Sequence, residues 1–111
     1  MDHSSQLLKG VLDMCLLSLI DEEPSYGYEM AAKLNERGVK LVSDGSIYPT
    51  LSRLQRAGLV EGYFVEAHGS GPPRKYYRIV KPGTVRLREW STEWKDLSAG
   101  VSAILNGGDY D

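Results

Sequence analysis

Residues 43–80 read SDGSIYPTLSRLQRAGLVEGYFVEAHGSGPPRKYYRIV, and the hydrophobic period changes partway through that stretch. Ile47, Leu51 and Leu54 stand at i, i+4 and i+7, which puts them on one face of a helix and predicts that this face is buried. Pro49 is tolerated only near a helix start. The start therefore falls between Ser43 and Ser46, where Ser43, Asp44 and Ser46 are all suitable caps, and Gly58 ends the helix. From Leu59 the period becomes two, with β-prone residues in Leu59 to Glu66 and again in Arg74 to Val80. Between them, Ala67 to Pro73 is too rich in glycine and proline to continue a helix or a strand, so the two segments form a hairpin with a projecting tip.

Working outward, Leu8, Val11, Leu12, Cys15, Leu16 and Leu19 recur at three- and four-residue spacing. This predicts a first helix capped by Ser4 or Ser5 and running to about Ile20. Asp21 to Pro24 breaks it, and Ser25 is expected to cap a second helix reaching Glu36, with Gly38 just past its end. Beyond the hairpin, Pro82 and Gly83 mark a boundary before a last helix. On it Leu87, Trp90, Trp94, Leu97, Val101 and Ile104 step by three, four, three, four, three. That is a heptad seam about 25 Å long, too apolar to leave in water. The first helix can cover part of it, and a second copy of the chain is the economical partner for the rest. The expected fold class is α+β, mostly α: a winged helix-turn-helix with a two-stranded wing over 1–81, a C-terminal dimerisation helix over 82–106 and a disordered tail over 107–111. The dimer interface would use Leu8, Leu87, Trp90, Trp94, Leu97, Val101 and Ile104.

The totals agree with a single small domain. Of 111 residues, 41% are hydrophobic and 25% charged, as in ordinary globular proteins. The longest apolar run, Val11 to Ile20, is interrupted by Asp13 and Ser18, so no membrane span is expected. Asp2 and His3 stand where a signal peptide would be basic, and a cytoplasmic location is expected. The one cysteine, Cys15, lies in an apolar helical pattern and reads as a small buried hydrophobe. A net charge of −2 is unpromising for a nucleic-acid binder until it is divided along the chain. Residues 1–36 carry −5, residues 37–78 carry +4, and the remainder carries −1. Because each charge acts over only about 8 Å at physiological salt, local positive potential is what a polyanion meets.

In a winged helix-turn-helix the third helix enters the major groove and the wing touches flanking backbone. Opposite the core face of that helix lie Gly45, Pro49, Ser52, Arg53 and Arg56, with Ser46, Tyr48 and Thr50 on the flanks. Small and hydroxyl residues at the leading end let the backbone approach base edges. Arg53 is long enough to fork onto a guanine or clamp a phosphate, and Arg56 is assigned to phosphate. At the wing, Arg74, Lys75 and Arg78 follow the glycine-rich tip, where His68 and Ser70 are further candidate phosphate donors. For each of these side chains the alternative is an ordinary solvated surface.

The strings Tyr26-Gly27-Tyr28-Glu29, Gly45 to Leu54, Gly58-Leu59-Val60 and Gly71 to Tyr77 resemble, in order and spacing, the hallmark segments of the PadR family of transcriptional regulators. The resemblance covers residues 7 to about 81, and the single short C-terminal helix resembles that of its smaller subfamily. It implies a dimeric repressor of an inverted-repeat operator, often released by a small molecule. It also implies that Ser46, Tyr48, Pro49, Thr50, Arg53, Arg74 and Lys75 contact double-stranded DNA, and that Tyr26 and Tyr28 lie beside the backbone or support the reading helix. Val80-Lys81-Pro82-Gly83 departs from the family pattern, which leaves the start of the last helix, and with it the dimer angle, unassigned.

A second class of function is ligand sensing: Leu8, Met14, Trp90 and Trp94 would wall a flat pocket for an aromatic or phenolic effector, set against the alternative of a filled hydrophobic seam. A protein-interaction or ligand-sensing winged helix without direct operator binding is the rival to the repressor reading. An enzyme is not expected. Two histidines at positions 3 and 68 make no triad, no paired metal ligands or cofactor motif occur, and Gly69-Ser70-Gly71 leads into Pro-Pro rather than into a phosphate-cradling helix.

Overall fold

A computed structural model describes residues 3–40, 44–67, 69 and 71–107. Seven elements follow in chain order: α1 His3–Glu22, β1 Ser25–Tyr26, α2 Gly27–Glu36, α3 Asp44–Arg56, β2 Val60–Val65, β3 Arg74–Ile79 and α4 Lys81–Leu105. The start of α3 falls inside the expected window. Two helices end in the same way. Gly38 (φ 95°) and Gly58 (φ 75°) take the left-handed conformation just past α2 and α3, and the next residue donates back five positions, Val39 N–H to Leu34 and Leu59 N–H to Leu54.

Four boundaries depart from expectation. The first helix already begins at His3, so Ser4 and Ser5 lie within it rather than capping it, and it continues past Ile20 to Glu22. Ser25 does not cap α2. It is fully buried in the short strand β1, and its hydroxyl donates to the Glu23 carbonyl (3.2 Å) and accepts from Lys33 Nζ (3.2 Å). The residue preceding α2 is instead Tyr26, extended at φ −110° and ψ 163° with no side-chain cap. That extended backbone lets β1 pair with β3, so the sheet has three antiparallel strands in the order β1-β3-β2 and not the two of a bare hairpin. Finally, Pro82 and Gly83 are not a break: both lie in the first turn of α4. The expected cap Ser43 and the tail residues 108–111 lie outside the described residues.

The core gathers Leu12, Leu16, Leu17, Leu19 and Ile20 from α1, Met30 and Leu34 from α2, and Ile47, Leu51 and Leu54 from α3. Leu59, Val60 and Tyr77 close it from the sheet side. Cys15 packs at its edge, and burial pushes its thiol pKa up, away from a reactive thiolate. The base of α4 is pinned to this body through backbone. Val80 N–H donates to the Leu59 carbonyl (3.2 Å), and Gly83, itself buried, lies so close that a Cβ there would overlap the same carbonyl. Beyond that anchor α4 stays against the body through Leu87 and Trp90, and the molecule reaches 63 Å in its longest dimension. No described helix is long and apolar enough to cross a membrane.

Candidate nucleic-acid interface

Burial of Ile47, Leu51 and Leu54 fixes the rotation of α3, and the opposite side is open: Gly45, Ser46, Tyr48, Pro49, Ser52 and Arg56 are all exposed. Pro49 has no N–H for the helical bond back to Gly45, so the exposed leading turn keeps a carbonyl oxygen without its helical donor. Tyr48 lies against the start of α2. A Cβ at Gly27 would stand 2.7 to 3.0 Å from the end of the Tyr48 ring, so only glycine at 27 leaves room for this rotamer.

Thr50 and Arg53 differ from the placement expected of them. Thr50 is 2% exposed, because α1 covers the flank of α3 that the helical wheel leaves open, and its hydroxyl donates to the Ser46 carbonyl (2.8 Å). Arg53 is half-exposed and engaged: one guanidinium nitrogen donates to Asp13 Oδ1 of α1 (2.8 Å) and to Thr50 Oγ1 (3.1 Å). That hydrogen bond, followed by the negative charge of Asp13, pushes the guanidinium pKa above its ordinary range.

On the sheet, the register sets Tyr26, Tyr76 and Tyr63 side by side across the three strands, with Arg74 and Arg78 two residues either side of Tyr76. Ring centroids are 5.2 Å apart for Tyr26 and Tyr76 and 6.1 Å apart for Tyr76 and Tyr63. The Arg74 guanidinium lies 4.8 Å over Tyr26 and that of Arg78 lies 4.7 Å over Tyr63, where Arg78 also binds Glu61. These aromatic faces hold flexible cations in place. Lys75 points to the other face of the sheet, with its chain across Gly62 and its Nζ 5.4 Å from the Tyr77 ring centre, so it lies apart from Arg74. Tyr28 is exposed on α2. His68 and Ser70 lie outside the described residues.

The seam on α4 divides in two. Leu87 and Trp90 pack against the core, whereas Trp94, Leu97, Val101 and Ile104 are exposed, Ile104 at 80% and its neighbour Leu105 at 76%. Met14, Trp90 and Trp94 do come together. They line an open cleft of about 390 Å³ between α1 and α4, whose wall also includes Asp13, Arg53 and Glu93. Leu8 is half-buried and is not part of that wall. Asp13, Gly27, Tyr63 and Tyr76 are residues to which sequence reasoning assigned no role, although Gly27 and Tyr76 stand within the hallmark strings. The alternation of β2 and β3 offered a further signal for the two tyrosines.

Residues 16–89 match the model of the transcriptional regulator PadR-like family. A protein of Lysinibacillus sphaericus without assigned function is 30% identical over 105 residues, covering 93% of this chain and 95% of its own. Among solved structures, a PadR-like transcriptional regulator from Bacillus cereus strain ATCC 14579 is similar at 46% identity and a TM-score of 0.77, over 90% of this chain and 96% of that one. A Streptococcus transcriptional regulator is similar at 39% identity and a TM-score of 0.77, over 91% and 98%.

Proposed function

Because this chain belongs to the PadR-like family of transcriptional regulators, a family of regulators and not of enzymes, we propose that it is a bacterial, cytoplasmic repressor that binds an inverted-repeat operator as a homodimer. The observation that carries this reading is the exposure of α3 opposite its buried stripe. Small and hydroxyl side chains at Gly45, Ser46 and Ser52 present no bulk to base edges, while Tyr48 and Arg56 flank them with groups suited to phosphate. Arg74, held over Tyr26, supplies the wing's cation. Arg53 and Lys75 join the interface by swinging out from their present partners. Thr50 supports the reading helix from within through Ser46.

The partner for the outer seam is a second copy of the chain. From Trp94 to Ile104 the exposed stripe runs about 15 Å at 1.5 Å per residue, and its heptad spacing continues the part already packed in the core. A second α4 crossing it would cover Trp94, Leu97, Val101 and Ile104 and roof the cleft beside Trp90. A planar hydrophobic or phenolic effector between the tryptophans would change how the two copies pack and so loosen the operator. Selection of duplexes from a random pool tests the DNA claim: the expected winner is a palindrome with half-sites about one helical turn apart and salt-sensitive affinity. Failure to retain any duplex at low ionic strength would leave the protein-interaction or ligand-sensing reading in its place. For the effector, planar aromatics are expected to quench tryptophan fluorescence. A broad panel with no quenching would remove that part of the proposal.

A further inference from the structure

Arg53 stands at a fork. On the helical wheel it is about 40° from exposed Pro49 and about 60° from buried Thr50, so its long side chain can lie outward over the reading face or sideways toward α1. In this structure it lies sideways, bridging Asp13 Oδ1 and Thr50 Oγ1, and Thr50 in turn donates to Ser46 in the leading turn of α3. The same Asp13–Arg53 pair forms part of the wall of the cleft beside Trp90 and Trp94, and Arg53 also borders a small depression with Gly45, Ser46 and Pro49. One ion pair is thus shared by the α1–α4 cleft and the reading helix.

We propose that Asp13 is an intramolecular competitor of DNA phosphate for Arg53, so that this carboxylate on α1 sets operator affinity without itself touching DNA. The inference rests on the reading of α3 as the DNA-facing helix. Its physical basis is the near equality of the alternatives. A half-exposed guanidinium–carboxylate pair has no large intrinsic advantage over a guanidinium–phosphate pair, because both are screened by solvent. Whichever anion is closer at hand therefore holds Arg53, and removing one strengthens the hold of the other.

The test is a double-mutant cycle on the duplex enriched from a random pool, comparing wild type, D13N, R53Q and D13N/R53Q at low and physiological salt. D21N, at an exposed carboxylate on the far end of α1, controls for overall charge. D13N is expected to bind about two- to fivefold tighter, the range that an exposed ion pair commands. R53Q is expected to bind more weakly, and the double variant to bind as R53Q does. In wild-type protein the Arg53 side-chain Nε–Hε resonance is expected to move when duplex is added, a readout that holds even if a substitution compromises folding. A weaker D13N, a gain that persists in the R53Q background, an equal gain in D21N, or an Arg53 resonance indifferent to bound duplex would each overturn the proposal while leaving DNA binding intact. Wild type that binds no duplex at all would instead remove the reading on which it rests.

Discussion

Replacing Gly83 by alanine places one methyl group where the first turn of α4 meets the backbone of Leu59, just before β2. The added carbon overlaps the Leu59 carbonyl oxygen and stands 2.8 Å from Ile79 Cγ1 and 3.0 Å from the Leu59 carbonyl carbon. Ordinary carbon contacts begin near 3.5 Å, so the helix must retreat by roughly 0.7 Å or more. Neither neighbour yields easily, since one is backbone and the other is tied into β3. Retreat also stretches the Val80-to-Leu59 hydrogen bond, now 3.2 Å. Overpacking of this kind costs about 1–3 kcal/mol and the weakened hydrogen bond about 1, against a gain of up to about 1 from replacing glycine in a helix. The net loss is about 1–3 kcal/mol, or roughly 5–15 °C in Tm for a chain of this size. Thermal unfolding at fixed protein concentration measures it. Gly100→Ala is the internal comparison, because nothing lies within 4 Å of a Cβ there and only the helical gain remains. If Gly83→Ala matched Gly100→Ala, or raised Tm, the close crossing of α4 over Leu59 would be refuted.

Four further outcomes follow from the same geometry. Val101→Glu puts a charge in the exposed half of the seam and is expected to shift sedimentation from dimer toward monomer, with the helical far-UV signal of the body retained. Gly27→Ala displaces the Tyr48 ring from α2 and is expected to lower operator affinity about tenfold or less in a mobility-shift titration, with little change in Tm because Tyr48 is half-exposed and can swing aside. Arg74→Ala is expected to weaken binding to all duplexes alike and to reduce the salt slope by about 0.9 for each phosphate that is no longer neutralised. Glu22 binds Arg37 through both oxygens (2.6 and 2.7 Å), and this hydrogen bonding holds its carboxyl pKa below the ordinary glutamate range. Its folded pKa being depressed, the pair contributes above the ordinary glutamate pKa and is lost as pH falls through the lowered value. Glu22→Gln should therefore lower the urea midpoint slightly at pH 7 and leave it unchanged at strongly acid pH.

What could be read in the sequence divides by range. The third helix was legible because its signals are local: a buried stripe at Ile47, Leu51 and Leu54, a proline that limits where it can start, and Gly58 in the left-handed turn that ends it. The hairpin and the seam were legible for the same reason. Strand β1 was not, since two residues cannot display a period, and Ser25 has the chemistry of a cap wherever it sits. Gly83 next to a proline looks like a breaker until the Leu59 carbonyl, 24 residues earlier, is seen to need the space. The candidate interface shows the same limit. A helical wheel centred on Ile47 placed Thr50 at the rim because it knew nothing of α1, which covers that flank. Arg53 looked like an outward reader because its partner, Asp13, is 40 residues away.

In the proposed function, two copies joined along α4 present two reading helices to one duplex. Sedimentation equilibrium of the protein mixed with its selected palindromic duplex, at low ionic strength, decides this arrangement. The predicted result is a single complex whose mass corresponds to two chains per duplex, formed by a protein already dimeric alone. A complex of one chain per duplex, or a monomer that leaves the duplex unbound, would contradict it.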